Sequence, residues 1–167
     1  GGTGQTGYIG YDISMGDVSL SFDTSKATGG TDRSASLSFT GIDGLQVVAG
    51  VGEMQTAQTN KAVDQSTYGA KYTMGSITAA IQMNNVDDAS TSNDDQDGTH
   101  VGVSFALSDN VSISYAQLET EFGKSTKTAD EEVSGIGVSY TAGSMSVKAY
   151  AGKTENDNGS TTAVDLE

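Results

Sequence analysis

The sequence predicts an all-β fold, an antiparallel up-and-down transmembrane β-barrel, and three observations predict it. Apolar and small polar residues alternate with period two along almost the whole chain, as half-buried strands require. The links between the alternating segments are short and long in turn, the pattern of a barrel with tight turns at one rim and loops at the other. Aromatic residues stand at matching places beside the short links, where an interfacial belt would put them.

The strands are Ile9–Ile13, Val18–Phe22, Ala35–Phe39, Leu45–Val51, Tyr68–Tyr72, Ile77–Met83, Val101–Phe105, Val111–Tyr115, Ile136–Tyr140 and Met145–Ala149. An eleventh begins near Thr161. Val18-Ser-Leu20-Ser-Phe22 and Val111-Ser-Ile113-Ser-Tyr115 show the alternation in its plainest form. One face of the set is apolar throughout. The other is mostly Ser, Gly and Thr, with Asp12, Gln46, Lys71, Gln82 and Lys148 among them and Val48, Ala80 and Tyr150 as apolar exceptions.

Alternation by itself also fits a soluble sandwich, whose apolar face turns to a core. The links favour the barrel. Short ones centre on Gly16, Gly41–Gly44, Gly75, Leu107–Asn110 and Gly143, with the Gly, Asp and Asn chemistry of hairpin turns. Long, acidic ones are expected at Lys26–Asp32, Glu53–Gln65, Val86–Gly98, Glu119–Glu132 and Thr154–Ser160. Greek-key sandwiches do not keep so regular an alternation. Phe39, Tyr72, Phe105 and Tyr140 each read as the last outward residue before a short turn, and Tyr11 lies one outward position further back. A sandwich core would place its largest residues at mid-strand instead; here Leu37, Val47, Ala70, Val103 and Val138 hold those positions.

Composition removes several function classes. Eight basic residues against 22 acidic ones give a net charge of −14, so the basic footprint that nucleic acid needs is missing. That charge would bias a pore toward cations. No uninterrupted apolar run approaches the ~20 residues of a membrane-spanning helix. With no cysteine there is neither a disulfide framework nor a thiolate metal site. The chain starts without Met at Gly1 and stops at Glu167, so residues 1–167 are expected to be one barrel domain incomplete at both ends.

The hairpins Tyr8-Ile-Gly-Tyr-Asp-Ile-Ser-Met-Gly-Asp-Val-Ser-Leu-Ser-Phe22 and Gly137–Gly152 resemble those of alphaproteobacterial outer-membrane porins, and the likeness extends over nearly the whole chain. The resemblance implies a homotrimeric barrel of about 16 strands in outer-membrane lipid that passes small hydrophilic solutes. This chain would then be an internal or C-terminal portion. Two features depart from that family: the chain does not close on an aromatic residue, and no loop has the length of an inward-folded constriction loop. Constriction residues are therefore not carried over.

Few residues offer chemistry. His100 is the single histidine, at a strand start, and one His without Cys makes a poor transition-metal site. It also leaves every Ser without a triad. Asn93-Asp-Asp95-Gln-Asp97-Gly98 matches the opening of a calcium loop, with oxygen ligands at alternate positions, but Ser104 stands where the bidentate Glu belongs. A solvated acidic loop is the plainer reading. Lys71 and Lys148 lie on the polar face, either as ordinary solvent-facing residues or as lumen residues opposing Asp12 and Asp23 across the channel. The expectation is a passive porin-type channel of the bacterial outer membrane, not an enzyme, with Asp12, Asp23, Lys71, His100 and Lys148 lining it. A soluble all-β surface, S-layer or filament protein is the alternative. A barrel enzyme would need an inward catalytic cluster, which the sequence does not show.

Overall fold

The structure is a computed structural model describing residues 7–27, 30–55, 62–88, 95–123, 130–155 and 161–166. Eleven strands, β1 (Gly7–Met15), β2 (Val18–Ala27), β3 (Gly30–Ile42), β4 (Leu45–Gln55), β5 (Ala62–Met74), β6 (Ile77–Asp88), β7 (Gln96–Ala106), β8 (Val111–Phe122), β9 (Glu131–Ala142), β10 (Met145–Glu155) and β11 (Thr161–Leu166), form one sheet. Each strand pairs antiparallel with its neighbours in sequence, so the order is β1 to β11 without a crossover. Among the described residues β1 and β11 are the two edges of this sheet, which is a wall and not a closed barrel.

Turn chemistry sets the hairpins. Gly16, Gly44, Gly75 and Gly143 have φ of 60°, 73°, 59° and 60°, the left-handed values that tight two-residue turns demand and that L side chains rarely adopt. The β7–β8 link is longer and is closed by Leu107 N–H donating to Val111 O at 2.9 Å. Neighbouring hairpins are also tied at this rim. Thr40 N–H donates to Asp17 O at 2.9 Å, and Thr73, Ala106 and Thr141 N–H donate to Gly44, Ser76 and Asn110 O at 2.8 Å each. The same bond repeated between successive hairpins holds all the short turns at one edge of the wall.

The strands outrun the alternation that reveals them. Strands β1 to β10 have 9 to 13 residues, whereas most apolar runs in the sequence cover five to seven. The segment Lys26–Asp32, expected as a long link, is mostly strand: β2 reaches Ala27 and β3 starts at Gly30. The other long links contract in the same way, and Gln96–Gly98 belongs to β7. The physical cause is that outward residues turn polar where the wall leaves its apolar band, while backbone pairing continues beyond it. Tyr72 and Tyr140 are likewise followed by one more outward strand position each, Met74 and Ala142.

Among the described residues the sheet has no hydrophobic core. Val63, at 8% exposure, is the sole buried apolar residue described, and no large side chain is fully buried. Large apolar residues on the outer face, including Ile81, Val103, Phe105 and Val138, stay 39–47% exposed. A soluble sandwich would have covered this face with a second sheet.

Register supplies the tilt. One row of ladder partners runs Val18, Phe39, Val47, Ala70, Ile81, Val101, Gln117, Ser134, Lys153. It starts at the first residue of β2 and ends eight residues beyond Met145, the first residue of β10. The row therefore climbs from the short-turn rim, through apolar residues, to the polar rim. That is about one residue of slip per strand. With ~3.3 Å per residue and ~4.8 Å between strands, it gives a tilt of about 35°, inside the ~35–45° range of membrane barrels. At that tilt, 9 to 13 residues rise by about 24–35 Å, enough to cross the ~25 Å apolar band.

Candidate functional site: the inner wall

The candidate site is the face opposite the apolar one, and adjacent ladder partners build it. Ser14, Ser19 and Ser38 follow one another across β1 to β3; Ser112, Ser139 and Lys148 do so across β8 to β10. Small hydroxyls satisfy each other across the strands: Ser112 and Ser139 Oγ lie 2.7 Å apart, Ser14 and Ser19 Oγ 3.2 Å, and Thr73 and Thr78 Oγ1 3.0 Å. Such a surface is wetted at no desolvation cost and leaves open space beside it.

The expected lining residues all fall on this face. Asp12 accepts from Ser21 Oγ at 2.6 Å. Asp23 accepts from the Tyr8 hydroxyl and from Ser34 Oγ at 3.4 Å. Lys71 is the ladder partner of Gln46 and Ala80, His100 of Gln82 and Leu118, and Lys148 of Ser139. Lys71 and His100 share one recess with Gln46 and Gln82. His100 and Lys148 border a second, larger one. Asp12 and Asp23 are neighbours on β1 and β2, far along the sheet from Lys148 on β10. The inner wall is thus acidic at its β1–β3 end and carries its cations from β5 to β10.

Sequence reasoning missed Asp32, which belongs to the same acidic group. Its Oδ1 accepts from Gln55 N–H at 3.1 Å and its Oδ2 from Ser25 Oγ at 3.4 Å. Parity counted back from Ser34 and Ser36 would have found it; the polar run around Thr31 and Arg33 concealed the strand.

The aromatic residues Tyr11, Phe39, Tyr72, Phe105 and Tyr140 lie on the outer face near the short turns. Tyr11, Tyr72, Phe105 and Tyr140 are exposed and Phe39 is half-buried. At the opposite rim the outer face turns acidic. Glu53 and Asp64, Asp64 and Asp87, Glu119 and Glu132, and Glu132 and Glu155 are directly opposed pairs. Like charges opposed in a ladder repel, so these positions belong in a high-dielectric zone above the apolar band.

Of the three residues expected to hold calcium, Asn93 lies outside the described residues. Asp97 accepts from Asn85 Nδ2 at 2.7 Å, and Gly98 is extended in β7 between Asn84 and Thr120. No group of three or more His, Cys or acidic residues among those described is arranged to hold a metal ion.

Comparison with known proteins agrees with this geometry. The sequence matches the Gram-negative porin family over residues 2–163. No curated protein sequence matches it. Solved structures do. The anion-selective porin from Comamonas acidovorans superposes with a TM-score of 0.71 at 13% identity, over 88% of this chain and 48% of that one. A BenF-like porin from Pseudomonas fluorescens gives 0.72 at 10%, over 96% and 53%. A triple mutant of the Rhodopseudomonas blastica porin gives 0.66 at 13%, over 96% and 54%. An outward apolar band, a polar inner wall and tilted sequential strands define a membrane β-barrel wall. The chain belongs to the Gram-negative porin family, and it spans about half the length of these structures.

Proposed function

We propose that the protein containing this chain is an outer-membrane channel for passive diffusion of small hydrophilic solutes and ions, and that this chain is a contiguous part of its wall. The observation that carries this is the uncovered apolar face, whose register climbs at the tilt of a membrane barrel while the other face stays polar. A soluble surface or filament protein would leave that face in water, at a cost of ~25 cal/mol per Å². Family membership favours a channel over an enzyme.

Size, wall charge and loop shape would do the selecting in such a pore. Asp12, Asp23 and Asp32 at one end of the wall and Lys71 and Lys148 further along it would set a field across the lumen once the barrel closes. Outer-membrane lipid would cover the band between the aromatic and acidic rims. Assembly as a homotrimer is supported by the family resemblance; chemical cross-linking in detergent would test it, and a species fixed as monomer would remove it. Calcium would be held weakly through Asn93, Asp95 and Asp97.

The channel itself is tested by adding the purified full-length protein to a planar lipid bilayer. Stepwise conductance increments that scale with salt concentration are expected. A protein that folds and inserts yet passes no current would overturn the channel.

A further inference from the structure

One stretch of the inner wall is apolar. Leu118 of β8 and Val133 of β9 are direct ladder partners, with Ala116 and Gly135 the next inward pair toward the short turns. Leu118 and Val133 are half-buried. Tyr150 of β10, 53% exposed, tips its ring over the neighbouring glycines: a Cβ built on Gly152 or Gly135 would stand 3.4 or 3.6 Å from its Cε2. Gly and Ala at the adjoining positions leave the wall recessed, with a volume of about 490 Å³. That lies within the ~300–1,000 Å³ of small-molecule sites.

The recess has a cationic end. Lys148 shares the face of Tyr150, two residues earlier on β10, and makes no hydrogen bond or ion pair among the described residues. His100 is the ladder partner of Leu118 on its other side. The described inner face of β8 to β10 carries one carboxylate, Glu131. It lies two residues beyond Val133, about 7 Å along β9, and about 26 Å from Ser139, the partner of Lys148. Asp165 of β11 stands opposite Tyr150 in register, on the side of β10 away from Leu118 and Val133.

We propose that this recess is a binding subsite for a small organic anion with an apolar or aromatic body. The body lies on Leu118, Val133 and the Tyr150 ring, and the anionic group faces Lys148. Such a subsite would hold these solutes briefly on their way through; the other apolar inner pair, Met54 and Val63, has no lysine within two residues among the described residues of its own strands. This inference rests on the channel reading, and its test separates the two.

The experiment uses the full-length protein in planar bilayers, with potassium chloride carrying the current. Three probes are added: 3-phenylpropionate, propionate and 3-phenylpropylammonium. The ring laid on the patch should let 3-phenylpropionate interrupt the current at about tenfold lower concentration than propionate. It should also act more strongly than the ammonium. Leu118→Asn with Val133→Thr should erase the gap between the two carboxylates, and Lys148→Gln the preference over the ammonium, each compared at that variant's own open conductance. Equal action of the two carboxylates overturns the subsite. So does a ring effect that survives the double variant, as when a segment of the chain fills the recess, or equal or stronger action of the ammonium. Absence of any potassium chloride current would instead strike the channel reading beneath it.

Discussion

Val103 and Ser104 are consecutive residues of β7 on opposite faces, and an arginine at each should separate the two environments. Along the outer face of β7 the order from the short turn is Phe105, Val103, Val101, Thr99, Asp97, so Val103 lies inside the band between the aromatic and the acidic rim. It is 46% exposed because no protein atom covers that side. Arginine at the bilayer midplane of a barrel costs ~2–4 kcal/mol, falling to ~0–1 kcal/mol near the interface. Val103→Arg should therefore lower the folding equilibrium in lipid by roughly 30- to 800-fold. Asp97→Arg, on the acidic rim of the same face, should cost under about 1 kcal/mol. Ser104→Arg, turned to the lumen, should stay within about 0.5 kcal/mol. Denaturant titration of the full-length protein in lipid vesicles, followed by circular dichroism, would measure all three. Equal costs, or a smaller cost at Val103 than at Asp97, would refute the placement of this face in the bilayer core.

Three further outcomes are expected. Gly143→Ala should cost about 1–2 kcal/mol for its left-handed backbone alone, since nothing lies within 4 Å of its built Cβ. Gly44→Ala should cost a further ~1–3 kcal/mol, because its Cβ would meet Thr73 O at 2.1 Å; equal losses in the same titration would contradict the turn geometry. The channel should prefer potassium over chloride, following the net charge of −14, and a reversal potential favouring chloride in a salt gradient would contradict that. Calcium should bind through Asn93, Asp95 and Asp97 only in the ~10⁻⁴–10⁻³ M range of weak extracellular sites; calorimetry without heat at millimolar calcium would remove it.

The sequence was most legible where the two faces differ most. The cores of β2, β7 and β8 could be read from Val18–Phe22, Val101–Phe105 and Val111–Tyr115, because lipid on one side and water on the other impose strict alternation. It was least legible at the long-loop ends. Around Lys26, Asp32 and Glu119–Glu121 both faces meet a polar medium, so backbone pairing continues while the side-chain pattern that reports it vanishes. Asp32 went unseen for this reason. The face on which Asp12, Asp23, Lys71, His100 and Lys148 stand was legible by parity alone, since a side chain's face follows from its distance to the nearest regular stretch. Their grouping was not: that Lys71 and His100 share a recess, or that Leu118 and Val133 meet, depends on the register between strands, which no single strand encodes.

Cysteine labelling in the intact membrane tests most directly whether the apolar face meets lipid and the polar face an enclosed lumen. The described chain has no native cysteine, so signals from this region would come from introduced residues at Val103, Val138, Ser104 and Ser139. Cysteine at the two Val positions is expected to react with a lipid-phase reagent and to resist a water-soluble one. At the two Ser positions it should react with a small water-soluble reagent and be shielded from one too large for the pore. Equal labelling of the Ser104→Cys variant by small and large water-soluble reagents, with no lipid-phase reaction at the Val positions, would contradict the membrane wall and indicate a soluble sheet instead.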